Sequence, residues 1–224
     1  MLSRILIALT ICLFAQTPVS FAQLPSLSQL GLGKTSSTPS AVIADLTKAK
    51  DQVASNYVQS SQTMSNALGS ILSSLGGNND LLGKLAAAKN LQPANLTSGS
   101  TSSVRQAVDA AEQFLKQKLQ ANPTLTPAST QGLTSGIASF VNGFSALKNL
   151  APSVSLLGQK AQNALATAPL QDKMGVQGIL SQVLPLAQSL PQDLASYKAV
   201  LSTLVSFASS HHIQLPAAAQ ALLK

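Results

Sequence analysis

From Ser40 to Leu75 the chain carries an unbroken stripe at steps of four, three and four: Val42, Leu46, Ala49, Val53, Tyr57, Ser60, Met64, Leu68, Ile71 and Leu75. Its positions recur every eleven residues, so Val42, Val53, Met64 and Leu75 share one row and Leu46, Tyr57 and Leu68 the next. Eleven residues in three turns is about 3.67 per turn, which keeps the seam on one side of a nearly straight α-helix. At about 1.5 Å per residue such a rod is roughly 54 Å long. A rod with one apolar face is not stable alone and must lie against other helices.

Downstream patterns supply them. A short helix is expected over about 80–89, with Leu81, Leu82 and Leu85 on one side. Ser103 and Gln106 form a capping-box pattern ahead of Val104, Val108, Ala111, Leu115 and Leu119. Thr126-Pro127 opens a further helix, as Thr38-Pro39 opens the first. Pro152, Pro169, Pro185, Pro191 and Pro216 divide the remainder into helices over about 153–167, 170–184 and 192–209 and a tail from 217, with Pro185 able to kink a helix rather than end it. No alternating β-branched run occurs, so the expected fold is all-α: an elongated, mostly antiparallel bundle of about five or six helices occupying residues 38–224.

Residues 1–22 have the layout of a cleaved secretory signal peptide, with Arg4, an apolar core from Ile5 to Ala15, and small residues Ser20 and Ala22 before Gln23. The apolar run is shorter than the span of about 20 residues that crosses a bilayer, and no membrane span is expected in the mature chain. The one cysteine, Cys12, lies within the signal, so the secreted protein, periplasmic or extracellular, has no disulfide to staple it. Residues 23–37, rich in Ser, Gly and isolated Leu, read as a flexible linker.

Charged residues are 9% of the sequence, against about 25% in ordinary soluble proteins. Polar helix faces must therefore be built from Ser, Thr, Asn and Gln, and two long runs, 52–79 and 119–147, hold no charge at all. The net charge of +7 is scattered, and with no Trp and 2 Tyr the chain lacks the basic stripe and stacking aromatics of a nucleic-acid binder.

Chemistry-bearing motifs are sparse. Gly31-Leu32-Gly33-Lys34-Thr35 lacks the leading glycine and the strand of a phosphate-binding loop. Adjacent His211 and His212 point in different directions and have no carboxylate near in sequence, which suits a helix end better than a metal site. Asn95-Leu96-Thr97 is a glycosylation acceptor only in a eukaryotic source. Most of the acidic residues, Asp193 among them, fall at helix starts or beside Lys or Arg, where a surface reading suffices, and the pairs Arg105 with Asp109 and Glu112 with Lys116 read as a solvated face. Neither a catalytic centre nor a metal or cofactor is expected.

The sharpest feature lies in the helix from Pro127. Leu133, Ile137, Phe140 and Phe144 form its apolar side, and Gly132, Gly136 and Gly143 form a second row. Glycine costs about 1 kcal/mol relative to alanine inside a helix, and close approach of another backbone is the usual compensation. The leading expectation is a secreted, non-enzymatic interaction or scaffold protein that uses its uncharged faces for a protein partner or for its own copies. The alternative is a carrier of lipid or another apolar ligand, with Leu133, Ile137, Phe140 and Phe144 lining a cavity between helices.

Overall fold

The computed structural model describes residues 39–77 and 79–224; the expected signal peptide, the linker and Gly31 to Thr35 lie outside these. Six α-helices and no strand occur among the described residues, so the chain is an all-α helical bundle. They are α1 (Pro39–Ser74), α2 (Asn79–Ala86), α3 (Ser98–Ala121), α4 (Pro127–Thr167), α5 (Leu170–Ser210) and α6 (Ala217–Leu223).

The stripe of α1 is its buried face: Leu46, Val53, Tyr57, Met64, Leu68 and Ile71 are each at most 3% exposed. Gly76, at φ 71°, closes the helix. Gly77 N–H donates to Leu72 O at 2.7 Å and Gly76 N–H to Ser73 O at 3.2 Å, the paired bonds of a Schellman motif. The chain then returns along α1 through α2 and two 3₁₀ turns, Ala87–Asn90 and Pro93–Asn95. Gln62 Nε2 holds this return segment by donating to the carbonyls of Lys89 and Leu91, at 3.1 Å each.

Helix α3 begins six residues earlier than its sequence suggested, with its N-cap at Thr97 rather than Ser103. The capping box is Thr97 with Ser100: Ser100 N–H donates to Thr97 Oγ1, and Thr97 N–H donates to Ser100 Oγ. Thr101, one turn ahead of the expected start, is buried and already belongs to the packed face. Thr126 caps α4 as expected, accepting from Ser129 N–H, with Pro127 as first residue.

Pro152 and Pro191 do not divide the C-terminal half: α4 runs through Pro152, and α5 through both Pro185 and Pro191. Pro152 and Pro191 are both exposed, so their rings stand on the outer side of their helices. Meanwhile Leu147, Leu150, Val154 and Leu157 on one helix, and Leu186, Leu190, Tyr197 and Val200 on the other, hold both sides of each proline in the core. Tertiary burial there outweighs a local cost of about 3 kcal/mol. Pro169 and Pro216 do sit at helix boundaries.

Glycine contacts fix the direction of packing. Gly132 lies against Ser74, Gly136 against Ile71 and Ala67, and Gly143 against Met64 and Ser60, so α4 runs antiparallel to α1. The two-residue link Ala168-Pro169 makes α5 antiparallel to α4. Contacts of Lys50 with Gln182 and Tyr57 with Asp193 run α1 alongside α5 in the same direction, and those of Arg105 with Asp193 and Thr203 with Glu112 do the same for α3.

Candidate functional site

Antiparallel pairing of α1 with α4 sets the two uncharged runs side by side. Along this face Thr63, Ser70, Ser73 and Ser74 on α1, and Thr130 and Thr134 on α4, each donate their hydroxyl to the carbonyl four residues back, at 2.8 to 3.1 Å. The surface is thus polar by composition while many of its donors are satisfied internally. A shallow groove of about 420 Å³ follows the seam, walled by Thr63, Asn66, Ser70, Ser135 and Ser139 above Gly132 and Gly136.

The glycine row forms the floor because α1 comes so near. A Cβ built on Gly136 would lie 3.3 Å from Ala67 O and 2.6 Å from Ile71 Cγ1. One on Gly143 would lie 3.3 Å from both Met64 N and Ser60 O, and one on Gly132 would meet Ser74 Oγ. Leu133, Ile137, Phe140 and Phe144, at 0 to 2% exposure, belong to the packed core. Phe140 meets Tyr197 across the bundle, with ring centroids 6.0 Å apart and planes at 58°. None of the four lines this groove.

A second constellation is absent from the sequence-based expectations. Asp193, on α5, is 2% exposed, which corrects its assignment to a solvated surface. Tyr57 Oη donates to its Oδ2 at 2.8 Å, and Arg105 Nη1 donates to its Oδ1 at 3.1 Å. One carboxylate therefore ties α1, α3 and α5 together, and Arg105 turns to it rather than to Asp109. Burial pushes the Asp193 carboxyl above its ordinary value of 3.8, while Tyr57, Arg105 and Ser189 pull the other way. Burial, and then the nearby Asp193 charge, push the phenols of Tyr57 and Tyr197 far upward. Ser61 and Ser65 face the same region, and their hydroxyls and that of Tyr197 are buried without an aligned hydrogen-bond partner.

Glu112 also departs from the solvated-face expectation. It is 7% exposed, meets Lys116 Nζ at 2.6 Å and accepts from Thr203 Oγ1 at 3.4 Å. The expected i to i+4 pair forms, but its acid is sealed into the α3–α5 seam. Stepping back four residues from Tyr197 along the α5 seam reaches Asp193, and that spacing was the signal in the sequence that placed it inside.

His211 ends α5, its ring on that of Phe207 at a centroid distance of 4.4 Å. No group of three or more His, Cys, Asp or Glu residues that could hold a metal ion occurs among the described residues. No helix among them is long and apolar enough to cross a membrane. Comparison with protein-family models, with curated proteins and with solved structures gives no match.

Proposed function

We propose that the chain is a secreted, non-enzymatic interaction or scaffold protein whose α1–α4 face receives a protein partner or a second copy of itself. The observation that carries this reading is the juxtaposition of two charge-free runs over a groove of small polar side chains. Covering such a face strips water from no charge, and the Thr63 and Ser70 hydroxyls on it are already bonded within their own helix, while Asn66, Ser135 and Ser139 are free to bond a partner. Both oxygens of Asp193 are engaged within the bundle, in keeping with a structural use for the most buried carboxylate. The apolar-carrier alternative gains no support from Leu133, Ile137, Phe140 and Phe144, whose side chains are committed to packing.

The test is light scattering of the mature protein, together with affinity capture from the secreted fraction. Association, or a recovered partner, that is lost when Ser135→Lys and Ser139→Glu are introduced supports the reading. A monomer at high concentration with no partner recovered overturns it. N-terminal sequencing of the secreted protein tests the leader, with Gln23 as the expected first residue.

A further inference from the structure

At the α4–α5 turn, beside the start of α1, lies a cavity of about 200 Å³ lined by Val42, Ile43, Ala164, Thr167, Asp172 and Val176, among others. Its walls are mostly apolar. Ile43 is held close against α5, its Cδ1 lying 3.3 Å from where a Cβ on Gly175 would stand. Thr167 and Pro169, both exposed, mark where it opens to solvent.

Two features make this cavity electronegative. Asp172 Oδ2 is buried and has no hydrogen-bond partner, and no Lys or Arg among the described residues pairs with it. Asp172 stands in the first turn of α5, where its charge complements the positive helix end, yet the Asp172 N–H itself is taken by Pro169 O at 2.9 Å. The other feature is the C-terminus of α4. Ala168 N–H bonds Ala164 O at 2.8 Å, but Pro169 has no N–H to give to the next carbonyl, so the negative end of a 41-residue helix is left open here. A buried carboxylate oxygen without a donor costs free energy that a cationic donor would recover.

We propose that this cavity binds an alkylammonium group, of a free aliphatic amine or of a lysine side chain. The ammonium donates to Asp172 Oδ2 and faces the final carbonyls of α4, while the alkyl body lies on Val42, Ile43 and Val176. This site is separate from the α1–α4 groove, and its test does not depend on that reading. It selects for charge and apolar length together: a hydrated metal ion lacks the alkyl body, and a neutral alcohol lacks the charge.

The experiment is a methyl-detected NMR titration of the mature protein with n-butylammonium and, separately, with n-butanol. Saturable shifts of the Val42, Ile43 and Val176 methyls are expected with the amine, with butanol at least about tenfold weaker. Asp172→Asn is expected to weaken amine binding by about tenfold or more. Ala164→Leu, which fills the cavity and keeps the carboxylate, is expected to abolish it, and this variant decides the matter should Asp172→Asn fail to fold. Equal binding of butanol, binding unaffected by either substitution, or no shift of these methyls overturns the proposal. An Nα-acetyl-lysine amide separates the two sources: binding equal to that of butylammonium assigns the site to a lysine side chain, and weaker binding assigns it to free amines.

Discussion

Two alanine substitutions in one helix should act with opposite sign. At Gly143 the new methyl would lie 2.7 Å from Met64 Cγ and 3.3 Å from two backbone atoms of α1. Met64 is 0% exposed, and two of the three nearest atoms are backbone that no rotamer change can move, so α1 and α4 must separate by a few tenths of an ångström. Overpacking of this kind costs about 1–3 kcal/mol. Replacing an interior helical glycine returns about 1 kcal/mol, which leaves a net loss of up to about 2 kcal/mol. At Gly158, later in α4, a methyl meets nothing within 4 Å, so the propensity term stands alone and Gly158→Ala gains about 1 kcal/mol. The two variants should differ by about 1–3 kcal/mol in urea denaturation followed by circular dichroism at 222 nm. In thermal scans each kcal/mol corresponds to about 2–4 °C for a chain of this size. If Gly143→Ala is as stable as Gly158→Ala, the close approach of α1 is not what the glycine row serves.

Tyr57→Phe strips Asp193 of one of its two donors and is expected to destabilise by about 1.5–3 kcal/mol, read from the urea midpoint at constant m. Because the Asp193 carboxyl is raised in the folded state, the native protein holds more protons than the unfolded chain above pH 3.8. The contribution of this group therefore falls as pH rises from there through its folded value, and Asp193→Asn should remove that falling limb from a stability-versus-pH series. Tyr57 and Tyr197 are the 2 tyrosines of the chain, and both titrate above the ordinary value of 10.0. Absorbance at 295 nm should thus show no tyrosinate until alkaline unfolding, which begins as the unfolded phenols ionise above that pH; an ordinary titration in the folded protein would refute their burial. His212 sits at φ 54°, ending α5 in the same Schellman geometry that Gly76 gives α1, with Ile213 N–H on Ala208 O at 2.8 Å. His212→Gly should stabilise by about 0.5–1 kcal/mol in thermal scans, the left-handed cost less the entropy that glycine adds to the unfolded chain.

Much of the architecture was written in apolar periodicity. The α1 stripe, the Thr126-Pro127 start and the stops at Gly76-Gly77 and Pro169 are local signals, and each needs only its own neighbours to act. What local signals missed was decided at a distance. Pro152 and Pro191 break helices in isolation, but the core that grips both sides of them is assembled from other helices. The polar knot was obscured for a related reason: Tyr57 and Asp193 stand 136 residues apart, and nothing near either one states that the other is its partner. Asp172 was legible only as a helix-start charge, since its orphaned oxygen depends on how Ile43 and Ala164 close around it.

The knot and the parallel course of α1, α3 and α5 also set an order of events for folding. Helix α1 is made first, yet its principal partners are α4, from Pro127, and α5, from Leu170. Until these arrive, the seam from Leu46 to Leu75 has only the short return segment to lean on. Non-local pairing of this kind slows folding and leaves apolar surface waiting. The largest apolar seam of the bundle is thus the earliest made and among the last covered, and its burial follows the synthesis of α4 rather than preceding it.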